Sequence, residues 1–214
     1  PAIFAVDPAG LVPPRKNRGR PSKAYLEALA EYVTNTSRST TISDGVCTVA
    51  TVEHILSAMT GLGIDNVLIE INNEEVPILD GSSRLIVEAL QKAGIVEQKQ
   101  ERRFFVIDHP VEFAIPEKNI FFKAEPFDGF EIKVDVDYGT SILASQSAEL
   151  KDVSRFYPEI YNCRTFVFLH ELQFLIANNL VKGGDVDNAI VFVTQMPEQK
   201  VLDQLSAFFN RQNL

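Results

Sequence analysis

The chain has 214 residues, of which 45% are hydrophobic and 23% charged, a composition typical of a folded globular protein. Its formal net charge of -9 argues against a general affinity for nucleic acid, and no apolar run approaches the roughly 20 residues that a membrane span needs. The two cysteines, Cys47 and Cys163, form no CxxC pair, which favours a reducing cytoplasm over a disulfide-stabilised secreted fold.

Residues 1–24 are predicted to form an irregular basic arm, because prolines and glycines interrupt a cluster of arginines and lysines. Within this arm, Arg18-Gly19-Arg20-Pro21 resembles an AT-hook, a short segment that lies in the minor groove of AT-rich DNA. A DNA-associated protein is therefore one alternative. The acidic charge of the chain argues against it, and we expect no nucleic-acid partner.

Residues 25–98 are predicted to form a first α+β domain. The stretch 24–32 fits a short helix or the start of a strand, whereas 39–42 and 46–49 flank a turn at 43–45 and predict a β-hairpin. An apolar stripe predicts a helix over 52–60 with Thr51 as its N-cap. A buried strand is expected over 66–72, followed by a helix over 84–93 that Ser82 or Ser83 caps and Gly94 ends.

A charged connector near residues 97–103 marks the predicted boundary to a second α+β domain, 99–214. The pattern there first favours a series of strands, of which 130–136 has one face toward solvent. A β-α-β unit near 163–193 and a terminal helix are predicted to follow. The predicted strands are 103–107, 110–115, 119–124, 130–136, 163–168 and 188–193; the predicted helices are 171–178 and 197–210, with an irregular stretch over 152–161 and a turn over 182–184.

Glu53 and His54 stand side by side at the start of the first predicted helix. An imidazole that binds a metal, beside a carboxylate that accepts a proton from water, is the minimum for metal-assisted hydrolysis. The plainer alternative is a surface glutamate next to a half-buried histidine. A catalytic zinc usually takes three protein ligands, and His109 and His170 fit loop and surface positions better than ligand positions.

A second candidate motif is Arg164-Thr165-Phe166 on a predicted strand. Ordinary β-structure explains threonine beside aromatic residues. A functional alternative is that the threonine hydroxyl stabilises an oxyanion and that the phenylalanines line an apolar slot.

Several segments, taken together, carry a resemblance to a known family. They are Thr51-Val52-Glu53-His54-Ile55-Leu56-Ser57-Ala58, Gly61-Leu62-Gly63-Ile64-Asp65-Asn66, Pro77-Ile78-Leu79-Asp80-Gly81-Ser82, and Arg164-Thr165-Phe166 followed by Gly183-Gly184 and Asp187-Asn188-Ala189-Ile190-Val191. In order and spacing they resemble UDP-3-O-acyl-N-acetylglucosamine deacetylase, the zinc amidase of lipid A biosynthesis, over residues 30–214. The resemblance is strongest to forms fused to a 3-hydroxyacyl-carrier-protein dehydratase.

This resemblance implies two α+β domains, each a β-sheet packed on paired helices in a two-layer sandwich, with the active site between them. It implies a cytoplasmic enzyme that uses zinc to remove the acetyl group from UDP-3-O-(3-hydroxyacyl)-N-acetylglucosamine. The hairpin at 34–49 and the β-α-β unit correspond to one small insert in each domain.

The resemblance also implies roles for individual residues. His54 corresponds to one of three zinc ligands, and Glu53 to the general base that acts on zinc-bound water. Thr165 corresponds to the group that hydrogen-bonds the oxyanion, and Phe166 to a residue that packs against the substrate. The second insert lines a passage for the acyl chain, with passage positions at Leu172, Gly184, Ala189 and Val191.

Some features of the family have no counterpart in this sequence. The other two zinc ligands, a histidine and an aspartate four residues apart on a late helix, are missing, as are the opening strands. We therefore expect a truncated chain with an incomplete second domain, weak zinc binding and little turnover. The alternative is a catalytically inert fragment that acts as a binding module. A missing partner surface also predicts partial exposure of Ile55 and Met59, and self-association through this cleft surface.

Overall fold

A computed structural model describes residues 2–6, 24–178, 181 and 184–211 as a mixed α/β protein with several small sheets. In these ranges the strands are β1 Ala2–Val6, β2 Ala24–Glu27, β3 Val33–Asn35, β4 Thr41–Ser43, β5 Thr48–Val49, β6 Val67–Glu70, β7 Val111–Ile115, β8 Ile120–Ala124, β9 Ile132–Val136, β10 Gln146–Leu150, β11 Phe166–Phe168 and β12 Ile190–Phe192. The helices are α1 Glu53–Gly61, α2 Arg84–Ala93, α3 Phe156–Glu159, α4 Leu169–Ala177 and α5 Gln199–Phe208.

The first sheet has the order β2-β1-β6. β1 runs parallel to β2, with Phe4 opposite Leu26, and antiparallel to β6, with Phe4 opposite Ile69. The prediction of an irregular arm is therefore wrong for residues 2–6, whose five apolar residues form the central strand. The AT-hook motif lies outside the described residues.

The predicted hairpin is confirmed: β4 pairs with β5, with Ile42 opposite Val49. At its turn, Asp44 accepts hydrogen bonds from the backbone nitrogens of Cys47 and Val46 at 2.7 and 2.9 Å, and these bonds hold the pKa of Asp44 below its ordinary value. Inside the hairpin, Ile42 and Val49 join a buried cluster with Leu26, Cys47, Val52 and Val76. This cluster joins the first sheet and the hairpin to the start of α1.

α1 and α2 pack on each other through Ala58 and Val87, which are fully buried and share a cluster with Leu150 and Phe156. α2 begins and ends where the sequence predicted, and Gly94 ends it at a φ of 86°. Met59 is 3% exposed, so the expectation that it is partly exposed is wrong, whereas Ile55 is half-buried. β6 is half-buried rather than buried, because its residues alternate between partly buried and exposed.

Residues 111–150 form two separate two-stranded ribbons, β7–β8 and β9–β10. The register places Val111 opposite Ala124 and Phe113 opposite Phe122, so one face of the first ribbon is apolar. Phe113 and Phe122 are 57% and 59% exposed. The predicted strand over 103–107 is absent among these residues, which are irregular, and β10 was not predicted.

The β-α-β unit is confirmed: β11 and β12 are parallel neighbours, and α4 connects them. Leu169 and Leu172 of α4 pack against Leu205 of α5, and this cluster holds the terminal helix against the unit. Within the predicted turn over 182–184, residues 182 and 183 lie outside the described residues.

Replacing Gly61 with alanine should destabilise the fold. An alanine is usually favoured over glycine in a helix by up to about 1 kcal/mol. Here its Cβ would lie 2.1 Å from Cδ1 of the Phe156 ring. Moving a buried ring costs about 1–3 kcal/mol, which outweighs the helical gain. Urea unfolding of Gly61→Ala should give a lower free energy of unfolding than the parent chain.

A double variant provides the control. Phe156→Ala removes Cγ, Cδ1 and Cε1, the three atoms that the new methyl group would meet, so adding Gly61→Ala to it should cost less than adding it to the parent. Equal costs in the two backgrounds would contradict the steric explanation.

Candidate active site

Glu53 and His54 line one cavity of about 240 Å³. The other lining residues come from α1, from the residue before α2 and from the segment that leads to β11; they are Ser57, Ser83, Phe156, Ile160 and Cys163. The cavity therefore combines polar side chains from residues 53–83 with largely apolar ones from residues 156–163.

The chain enters α1 through a strained residue. Thr51 has a φ of 60°, in the left-handed region, and does not cap the helix as predicted, since Val52 occupies the N-cap position. A β-branched residue in this region costs on the order of 1–3 kcal/mol. Its hydroxyl donates to Glu75 at 2.8 Å, and the amide of Ala50 donates to the Glu74 carbonyl at 2.8 Å. These bonds hold the strained entry in place.

Glu53 is held by the hairpin. Its Oε2 accepts a hydrogen bond from the Thr40 amide at 2.9 Å, while the Thr40 carbonyl accepts from the Val52 amide at 3.2 Å. A carboxylate in the first turn of a helix also interacts favourably with the helix dipole. The orientation of Glu53 thus depends on the position of the hairpin.

His54 is anchored through its own carbonyl. That oxygen accepts hydrogen bonds from the hydroxyls of Ser57 and Ser83 at 2.9 and 3.0 Å, and the two hydroxyls are 2.7 Å apart. Both serines also line the cavity. The other two histidines are exposed: His109 lies beside Asp108, and His170 stacks on Phe168 at 5.5 Å.

His54 is the one imidazole among the residues that line the cavity. Among residues 2–6, 24–178, 181 and 184–211, no three histidine, cysteine, aspartate or glutamate side chains converge in a way that could hold a metal. A catalytic zinc usually takes three protein ligands, so the described residues do not form a complete zinc site.

The turn before α2 is tied together by a charged side chain. Asp80 accepts hydrogen bonds from the Ser82 hydroxyl at 2.8 Å and from Arg84 Nη2 at 2.8 Å. Burial alone raises the pKa of Asp80, but the bonds from Ser82 and Arg84 outweigh it and hold the pKa below its ordinary value.

Thr165 lies next to this turn rather than in the cavity lining. Its amide donates to the Gly81 carbonyl at 2.7 Å, and its carbonyl accepts from the Ile190 amide at 2.9 Å. Its neighbour Phe166 is 44% exposed and stacks on Phe192 at 4.8 Å. The structure therefore brings Glu53 and His54 into one cavity and places Thr165 beside it, two residues beyond Cys163.

Comparison with known proteins identifies the family. Residues 7–206 match the model of the LpxC family, UDP-3-O-acyl N-acetylglycosamine deacetylase. The chain belongs to this deacetylase family. The resemblance inferred from the motifs is thereby confirmed.

Named relatives of this family member are similar over most of its length. It is 42% identical over 182 residues to the bifunctional enzyme LpxC/FabZ of Chlorobaculum tepidum, covering 85% of this chain and 39% of that protein. It is 42% identical over 170 residues to the UDP-3-O-acyl-N-acetylglucosamine deacetylase of Saccharophagus degradans, covering 78% and 55% respectively. The protein of that name from Neisseria meningitidis is 40% identical, covering 76% and 54%. The chain thus spans roughly two fifths to just over half of the length of these relatives.

The four predicted acyl-passage positions differ from one another in how deeply they are buried. Leu172 is buried against Leu169 and Leu205, and Val191 packs against the same cluster. Ala189 is half-buried, whereas Gly184 is exposed. Their role in lining a passage stays a prediction.

Sequence reasoning missed several residues around the site of this family member. Ser57 lies one helical turn after His54, so the i, i+3 spacing could have indicated it. Ser83, Phe156, Ile160 and Cys163 reach the cavity only through tertiary packing. Tyr138 was also missed: its ring lies edge-on to Phe166, Phe168 and Phe192, with centroids 5.8–5.9 Å away.

No helix within the described ranges is both long and apolar enough to cross a bilayer.

Replacing Asp80 with asparagine should change the pH dependence of stability. Because the folded state lowers the pKa of Asp80, its charge stabilises the fold above the unfolded-state pKa, and this contribution is lost as the pH falls through the folded-state pKa. Asp80→Asn should therefore lower the free energy of unfolding at pH 7 by about 1–3 kcal/mol. The difference from the parent should shrink below pH 4 or so, as the parent carboxylate becomes protonated.

Urea unfolding of both proteins at pH 7 and near pH 3 measures this difference. A difference that is the same at both pH values would show that the ionised carboxylate of Asp80 is not what stabilises the turn.

Proposed function

We propose that this chain forms the Glu53 and His54 side of the active site of a zinc-dependent deacetylase. Its substrate is UDP-3-O-acyl-N-acetylglucosamine, and the reaction removes the acetyl group as a step of lipid A biosynthesis. The observation that carries the proposal is that Glu53 and His54 line a single cavity in a chain of this family. The names of two relatives supply the substrate.

Glu53 is proposed as the general base. Its carboxylate takes a proton from the attacking water and delivers a proton to the departing amine nitrogen. The hydrogen bond from the Thr40 amide supports this role, because it fixes the carboxylate without neutralising it. His54 is proposed as one zinc ligand, and the two hydroxyls on its carbonyl support this role by holding its backbone.

Thr165 and the second insert are proposed to bind the rest of the substrate. The Thr165 hydroxyl donates a hydrogen bond to the developing oxyanion, and Phe166 packs against the substrate. Leu172, Gly184, Ala189 and Val191 are proposed to line the path of the acyl chain. The apolar cluster that includes Leu172 and Val191 supports an environment suited to a hydrocarbon.

We further infer two α+β domains, with the site between them: the first is 25–98 completed by β1, and the second is 99–214. The cavity supports this division, because Glu53, His54, Ser57 and Ser83 come from the first range and Phe156, Ile160 and Cys163 from the second. The reaction is assigned to the cytoplasm, in line with Cys47 and Cys163 as free thiols.

His54→Ala should weaken zinc binding. Equilibrium dialysis with zinc should show weak binding by the parent chain, because His54 is the one imidazole in the cavity. Losing a direct ligand should cost at least the roughly 10–100-fold that losing an outer hydrogen-bond partner of a ligand costs. His109→Ala, which changes an exposed histidine, is the matched control. Equal binding by the parent and His54→Ala would exclude the proposed ligand.

Release of acetate from UDP-3-O-acyl-N-acetylglucosamine, assayed with zinc present, tests the chemistry. We expect slow hydrolysis by the parent, none by Glu53→Gln, and a kcat lowered by about 10²-fold in Thr165→Val, which keeps the side-chain volume and removes the hydroxyl. Glu97→Gln, at an exposed glutamate, should match the parent. Hydrolysis that persists in Glu53→Gln would overturn the role of Glu53; substrate binding without hydrolysis in the parent would favour the binding-module alternative.

A further inference from the structure

Gly81 contacts Thr165, the residue that precedes β11. Its carbonyl accepts the Thr165 amide at 2.7 Å, the shortest bond in a chain of contacts that continues from the Thr165 carbonyl to the Ile190 amide at 2.9 Å. Thr165 is thus fixed on one side by the turn before α2 and on the other by β12. Of these two supports, only the turn lies next to cavity residue Ser83.

No side chain fits at position 81. A Cβ placed there would lie 1.9 Å from the Asn188 carbonyl oxygen, 2.8 Å from its carbon and 3.4 Å from Thr165 Cγ2. Backbone atoms cannot rotate away as a flexible side chain can, so the turn that contains Asn188 or the turn that contains Gly81 would have to shift. The φ of 79° at Gly81 is also one that L-residues rarely adopt.

Gly81 and Asn188 both belong to constrained turns. On one side, the bonds of Asp80 to Ser82 and Arg84 close the turn that contains Gly81. On the other, the Asn188 side chain accepts the Asp185 amide at 2.8 Å, and the Asn188 amide donates to the Asp185 carbonyl at 3.0 Å. A methyl group at position 81 would therefore push one constrained turn away from the other, and the Thr165 backbone is hydrogen-bonded to Gly81 and to Ile190, two residues after Asn188.

We propose that Gly81 is a positioning residue for Thr165. The absence of a side chain lets the turn before α2 approach Thr165 to hydrogen-bonding distance. This approach sets the position of the Thr165 hydroxyl relative to the cavity that Glu53 and His54 line. The inference rests on the proposed function, in which that hydroxyl donates to the oxyanion. It adds a residue that acts through Thr165 and does not itself touch the substrate.

Hydrogen exchange tests the positioning without any assay of activity. Gly81→Ala should speed amide exchange at Thr165 and Ile190 by about tenfold or more, and leave the buried amides near Val49 and Val52 unchanged. Gly45→Ala and Gly94→Ala are matched controls, since both glycines have a φ of 86° and no atom within 4 Å of a built Cβ. They carry the same backbone strain without the collision.

Kinetics then separate positioning from a general loss of folded protein. If Gly81 acts through the Thr165 hydroxyl, Gly81→Ala should lower kcat by about 10²-fold in the parent and far less in a Thr165→Val background. A merely structural role would lower the rate by the same factor in both backgrounds. That result, or exchange at Thr165 no faster than in Gly45→Ala, would overturn the inference.

Two further results have defined meanings. Should Gly81→Ala fail to fold, Ser82→Ala loosens the same turn without adding atoms, and it should shift exchange at Thr165 in the same direction by a smaller factor. Should the parent chain show no hydrolysis, the proposed function fails for this chain, and exchange at Thr165 still decides whether Gly81 positions that residue.

Discussion

The two hydrogen bonds of Thr40 are the constraint on which the candidate site depends. Through its backbone amide and carbonyl, Thr40 holds Glu53 and the N-cap residue Val52, thirteen and twelve positions further along the chain. Thr40 itself leads into β4, which the buried cluster around Ile42 and Val49 fixes against the first sheet. A carboxylate placed on a loop would sample many orientations. The orientation of Glu53 is instead fixed by Thr40, and the hydrophobic core holds the hairpin that follows Thr40.

Backbone conformations that cost free energy cluster around the same cavity. Thr51 precedes the two candidate residues at a φ of 60°, and Leu79 precedes the Asp80 turn at a φ of 53°. Such conformations persist where the surroundings over-determine them. Here the Glu75 carboxylate and the Arg84 guanidinium provide that support, so acidic and basic side chains outside the cavity maintain its shape.

Local signals in the sequence were sufficient for some elements. The bounds of α2 and its end at Gly94 follow from an apolar stripe and a terminating glycine, and the hairpin follows from its Ser-Asp-Gly turn. Local signals could not predict two strands that form through pairing with other segments. β1 stands alone before a proline-rich stretch and becomes a strand by pairing with β2 and β6, while the polar β10 becomes one by pairing with β9.

The site was only partly predictable for a related reason. Glu53 and His54 are adjacent in sequence, so a short motif identified them together. Thr51 was assigned as an N-cap because threonine is common there, but a tertiary contact with Glu75 holds it in a conformation that composition does not reveal. The contact between Gly81 and Thr165 joins residues far apart in the chain, and no local pattern at either residue predicts the pairing.

The apolar face of the β7–β8 ribbon has a consequence for the colloidal behaviour of the chain. Phe113 and Phe122 lie opposite each other on that face, and each is more than half exposed. The net charge of -9 opposes their contact with other molecules through electrostatic repulsion. Salt screens this repulsion over a Debye length of about 10 Å at 0.1 M, and sulfate also strengthens apolar association. The solubility of the chain should therefore be greatest in dilute buffer and fall first in sulfate.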